Sequence, residues 1–150
     1  MELWELVARE RIRDTLALYT WSGDGLRLDD LASTFCDDGE LEVRGQPPVR
    51  GRAAIVDLLG GVATDADAGA GDIRRIVRHN VANVRFLEVT PHEARVASYF
   101  TVLTEIGLDH YGRYRDTLVA VGERWLISHR FVSTDWRAAG STMAPPGSTG

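Results

Sequence analysis

The chain has 150 residues, enough for one domain that buries roughly two-thirds of the surface its unfolded form would expose. Its 44% hydrophobic and 26% charged residues are those of an ordinary globular protein and exclude a disordered or collagen-like chain. The net charge of -5 speaks against nucleic-acid binding, which draws its affinity from clustered Lys and Arg on phosphates.

No apolar run approaches the roughly 20 residues of a membrane helix, so no membrane association is expected. Met1 to Leu6 show neither the basic region nor the small-residue cleavage site of a secretory signal, and a cytoplasmic location is expected. Cys36, the single cysteine, excludes an internal disulfide framework and a multi-thiolate zinc site, and reads as a small buried apolar residue.

Ala8, Ile12, Leu16 and Tyr19 recur at helical spacing, which predicts an amphipathic helix over residues 3–20, ended by the Gly23-Asp24-Gly25 turn. Leu28, Leu31, Ala32 and Phe35 predict a short second helix, with Asp29 and Asp30 suited to its first turn and Asp37-Asp38-Gly39 as its stop. A short strand is expected over Glu40 to Arg44, followed by a Gly45-Gln46-Pro47-Pro48 turn. Ile55, Leu58, Leu59 and Val62 form one face of a third helix that should end near Gly60-Gly61. The small, acidic stretch from Thr64 to Gly71 reads as a mobile loop. As a calcium loop begun at Asp65 it would need a bidentate glutamate at its twelfth position, which is Ile76.

Beyond Asp72 the pattern becomes extended, with runs Ile73 to Glu88, Ala94 to Ile106, His110 to Val121 and Trp125 to Val132 separated by short turns. Arg74, Arg75 and Arg78, broken by Ile76 and Val77, read as polar strand positions and not as a binding patch. Helices first and strands after predict an α+β fold: N-terminal helices packed on a curved antiparallel sheet, a cone-shaped barrel around a pocket. The domain is expected over residues 1–136. Residues 137–150 are expected to form a flexible tail, because Ser141 to Gly150 are Pro, Gly, Ser and Thr with little to bury.

Strand alternation puts Arg75, Val77, His79, Val81 and Asn83 on one face, and His110, Gly112, Tyr114, Asp116 and Leu118 on one face of a later strand. A few polar groups on an apolar wall are what a small-molecule pocket needs. His79 suits proton transfer near neutral pH, although for His79 taken alone a hydrogen-bonded strand histidine is the plainer reading. Tyr114 and Asp116 either serve the pocket or pair with Arg113, Arg115 or Arg130 as a structural network. Tyr19 at the end of the first helix and Asp24 in the turn after it should face the pocket mouth, and Trp21 reads as a lid over the core. Asp24 is also a favoured turn residue. His92 is expected in solvent and His129 on the sheet's other surface.

The stretches YTWSGDGLRLDDLASTFCDDGELEV, RHNVANV and GRYRDTLVAVGERWLISHR resemble the SnoaL-like family of the nuclear transport factor 2-like superfamily, over about residues 8–132. That superfamily includes dehydratases, isomerases, polyketide cyclases, epoxide hydrolases and non-catalytic binding modules. The resemblance to scytalone dehydratase implies an acid-base histidine at His79, an orienting carboxylate at Asp24 and a pocket tyrosine at Tyr114. Val43 stands where ketosteroid isomerase has its catalytic carboxylate and scytalone dehydratase a tyrosine, so neither reaction transfers whole. The dehydratase's second pocket histidine has no counterpart from Ala94 to Ile106, and His110 on the next strand would take its place.

The expected function is therefore a cofactor-free, metal-free lyase or isomerase acting beside a carbonyl of a small, largely apolar, polyketide-like substrate. His79 and Asp24 are its catalytic candidates. Tyr19, Trp21, Asn83, His110 and Tyr114 are its substrate-binding candidates, and a homodimer is the expected assembly. The alternative is a small-molecule-binding or assembly module of the same fold, and convergence of Asp24 with His79 discriminates between the two. No nucleotide-binding glycine fingerprint, HExxH motif or nucleophile elbow occurs in the sequence.

Overall fold

The computed structural model describes residues 1–70 and 76–143. Helix α1 spans Leu3–Asp24 and buries Ala8, Ile12, Leu16 and Tyr19 as its periodicity predicts. It runs one turn beyond the expected end. Gly23 lies within the helix, where a Cβ would come within 3.1 Å of Leu31, and the stop comes where Gly25 donates to the Trp21 carbonyl and Leu26 takes a positive φ of 55°. Helix α2, Leu28–Ala32, is shorter than expected, and Thr34 closes it by donating to the Leu31 carbonyl at 2.6 Å.

Phe35 does not belong to that helix: it opens strand β1, Phe35–Val43. The Asp37-Asp38-Gly39 segment lies within the strand, where the register slips between Phe35 and Glu40. Gly39 is needed there because a Cβ would come within 2.9 Å of the Ile127 carbonyl oxygen. The two-residue strand β2, Val49–Arg50, had no signal in the sequence pattern.

Helix α3, Arg52–Ala70, runs through Gly60-Gly61 and through Thr64 to Ala70, where a loop was expected. A mid-helix glycine costs about 1 kcal/mol against alanine but does not break the backbone bonds, and the following alanines favour helix. A Cβ at Gly60 would sit 3.6 Å from Leu28 of α2, an ordinary contact, so the packing of α3 on α2 does not require this glycine. Gly71, Asp72, Ile73, Arg74 and Arg75 lie outside the described residues, so the strand expected to begin at Ile73 is seen from Arg78 onward.

Strands β3 (Arg78–Val89), β4 (Glu93–Thr104), β5 (Gly107–Val121) and β6 (Arg124–Arg137) form the expected antiparallel meander. β1 joins β6 in parallel, giving a mixed, curved, unclosed sheet of order β2-β1-β6-β5-β4-β3. The α1 stripe, with Phe35, Leu41, Ile55, Val96, Leu118 and Ile127, makes the main core, each side chain contributing roughly 1.5–3 kcal/mol by burial. Thr15 adds a 2.6 Å bond from α1 to the Trp125 carbonyl of β6. Phe100, Val102 and Tyr114 form a second cluster that Val77, Val81, Val132 and Met143 border. The chain does not loosen at Ser141 as expected. That serine is 7% exposed and donates to Asp109 at 2.6 Å, while residues 144–150 lie outside the described residues.

Gly112 sits at a register slip between β5 and β6, and a Cβ there would come within 2.0 Å of the Ser133 carbonyl oxygen. Gly112→Ala therefore forces two central strands apart and should lower stability by about 1–3 kcal/mol in urea unfolding. A neutral result would show that this contact relaxes freely.

Candidate active site

The ends of α1, α2 and α3 and the inner face of the sheet enclose a cavity of about 250 Å³. Its wall is mostly Leu, Val and Phe, with polar groups from Tyr19, Thr20, Asp24, Gln46, His79, His110, Tyr114 and Thr134. Lysine and arginine are absent from the lining among the described residues. The field inside therefore does not favour an anionic ligand.

Asp24, the last residue of α1, meets His79, the second residue of β3, across 55 positions of sequence. The His79 backbone N–H donates to Asp24 Oδ2 at 2.9 Å, and His79 Nδ1 lies 2.6 Å from Oδ1. Both carboxylate oxygens are thus used, one on the His79 backbone and one on its ring, and Nδ1 carries the proton. Nε2 then remains as the proton-accepting atom.

A second pair lies on β5. His110 Nδ1 is 2.6 Å from Asp109 Oδ1, and Asp109 also accepts from Ser141 Oγ at 2.6 Å and Thr104 Oγ1 at 3.1 Å. Burial pushes the Asp109 carboxyl up, but the bonds from Ser141, His110 and Thr104 outweigh it and hold the group below the usual carboxylate range. Burial pushes the His110 imidazole down. Asp109 opposes this only in part, and His79 and Arg137 add to the depression.

Behind the pocket, Arg130 of β6 and its cross-strand partner Asp116 of β5 form a fully buried bidentate pair at 2.7 and 2.8 Å. The guanidinium lies between two phenol rings, 4.1 Å from the Tyr19 centroid and 3.9 Å from that of Tyr114. Burial opposes its charge, but the Asp116 carboxylate more than restores it and raises the Arg130 pKa. Burial also raises both tyrosines, so they remain protonated hydrogen-bond donors. Tyr114 stacks on Phe100 at 4.5 Å, and Phe100 meets His110 edge-on at 6.0 Å.

Of the residues named from the sequence, Tyr19, Asp24, His79, His110 and Tyr114 line the cavity. Trp21 does not: it is 74% exposed on the outer side of α1 and covers nothing. Asn83 does not either. It has a positive φ of 53° in the slip between Ala82 and Arg85, so the alternation breaks after Val81 and its side chain points to solvent. Asp116 takes the structural partner, Arg130, while Arg113 pairs with Asp135 and His129 with Glu42. His92 is exposed. Thr20, Thr134, Asp109 and Met143 were missed. Thr20 stands one helical turn before Asp24, which would have revealed it had α1 been extended far enough. Among the described residues no cluster of three His, Cys, Asp or Glu side chains is arranged to hold a metal.

A scytalone dehydratase, so assigned, from Novosphingobium aromaticivorans superposes with a TM-score of 0.76 at 24% identity, covering 98% of both chains. ActVI-ORFA from Streptomyces coelicolor gives a TM-score of 0.72 at 21% identity over 85% of this chain and 96% of its own. A protein from Catenulispora acidiphila, solved in complex with S-DNPA, gives 0.72 at 23% identity over 85% and 92%. At these identities the likeness establishes the fold. Among curated protein sequences none matches this chain. The family model described as SnoaL-like domain matches residues 4–131, and the chain belongs to that family.

Proposed function

We propose that this protein is a cofactor-free acid-base enzyme, a dehydratase, cyclase or isomerase, acting beside the carbonyl of a small, largely apolar, polyketide-like substrate. The observation that carries this reading is the Asp24–His79 pair, held at 2.6 Å in an apolar cavity. In this reading His79 Nε2 takes a proton from the carbon next to the carbonyl, and the bonding pair shifts to form an enolate. Asp24 stabilises the imidazolium, and hydroxyls of Tyr19 and Tyr114 face the developing oxyanion. The cavity wall excludes water and strengthens these interactions. The Catenulispora neighbour's small-molecule complex agrees with a ligand in this fold. A homodimer would pair through the outer sheet face, where Tyr99, Leu103, Tyr111 and Trp136 are exposed.

The test is hydrogen–deuterium exchange at the α-carbon of β-tetralone and related neutral bicyclic ketones in D₂O, followed by proton NMR. The wild-type protein should exchange these protons faster than buffer. Binding without any acceleration would defeat the enzymatic reading and leave a binding module.

A further inference from the structure

The pocket contains two imidazoles, and the reading above uses only one. His110 is 7% exposed, lines the same cavity, and is fixed by Asp109 on one side and the Phe100 ring on the other. Asp109 is itself held by Thr104 from β4 and by Ser141 from the segment after β6. An anionic carboxylate can only accept, so Nδ1 of His110 carries the proton, and the neutral ring presents Nε2 as an acceptor. Among the described residues that nitrogen meets no hydrogen-bond partner. It is not one of the fully buried unpartnered atoms, and its residue lines the cavity, so a ligand that donates to it gains a hydrogen bond within a largely apolar wall.

We infer that His110 is a specificity-determining residue that selects uncharged, mostly apolar ligands carrying a hydroxyl donor, phenolic or alcoholic, bonded to its Nε2. The inference rests on the cavity being the substrate site, and it adds a hydroxyl to the substrate class at a position other than the carbon that meets His79. The surroundings keep the acceptor form in place. The charged and titratable groups facing His110 are Asp109, His79 from β3 and Arg137 from β6, and burial together with the last two favours the neutral ring. Protonation would turn Nε2 into a donor and reverse the preference.

The experiment compares naphthalenediols with their monomethyl and dimethyl ethers by calorimetry on the full chain, and follows the His110 Nε2 resonance by nitrogen NMR. Wild type should bind the best diol on the order of tenfold to a hundredfold more tightly than its dimethyl ether, and the Nε2 signal should shift on binding. The preference should shrink as pH falls through the lowered His110 pKa. In His110→Phe, which keeps the ring, at least one of the two methylations should become neutral. Equal binding of diol and ethers by wild type, or an unmoved Nε2 signal with bound diol, overturns the inference even if His110→Phe fails to fold. Ketone exchange without hydroxyl selectivity would sink this inference alone, and selectivity without exchange would sink only the catalytic reading.

Discussion

His79→Asn should slow α-proton exchange in the ketone assay by on the order of 10²- to 10⁴-fold, the usual contribution of one positioned base. The neighbouring variant sharpens the result. Asp24→Asn keeps an oxygen for the His79 backbone N–H, but it replaces the carboxylate at Nδ1 with a group that can donate. The amide favours the tautomer with the proton on Nε2, where the base must be bare, so its rate should fall toward that of His79→Asn with little change in ligand affinity. A rate loss below tenfold in His79→Asn, with near-ultraviolet circular dichroism unchanged, would remove His79 from the mechanism.

The parts of this site legible in the sequence are those fixed by local periodicity. Alternation along β5 placed His110, Gly112, Tyr114, Asp116 and Leu118 on one face, and all five are buried. The same rule failed on β3 at Asn83, because a single residue in the left-handed region resets the alternation and nothing in the local pattern announces it. Trp21 failed for a related reason. Stopping α1 at residue 20 left its orientation undetermined, whereas continuing the helix to Asp24 places Thr20 and Asp24 on one face and turns Trp21 outward. The 2.6 Å approach of Asp24 to His79 depends on how α1 crosses the sheet, a packing outcome of many side chains. The role of Ser141 was hidden because a Pro- and Gly-rich composition describes average behaviour, and one serine bonded to a buried carboxylate overrides it. Arg130 was available as a partner for Asp116, but only the β5–β6 register singles it out from Arg113 and Arg115.

That register also produces the largest expected effect on stability. Asp116→Asn should destabilise the protein by about 3–5 kcal/mol in urea unfolding, because it leaves the fully buried Arg130 charge without its counter-ion. The matched control is Asp135→Asn, which breaks the partly exposed pair with Arg113 and should change stability by about 0–1 kcal/mol. The buried pair need not stabilise the fold relative to an apolar one. Arg130→Met combined with Asp116→Leu should recover most of the loss, since two well-packed apolar side chains incur no charge desolvation. What the double variant cannot replace is the guanidinium between the rings of Tyr19 and Tyr114. A stable double variant should therefore still exchange ketone protons more slowly than wild type, by up to about tenfold, because the two phenols lose the group that fixes their planes. Full activity in that variant would assign the ion pair to folding alone, and failure of Asp116→Asn to destabilise would mean that Arg130 escapes to solvent or finds another anion.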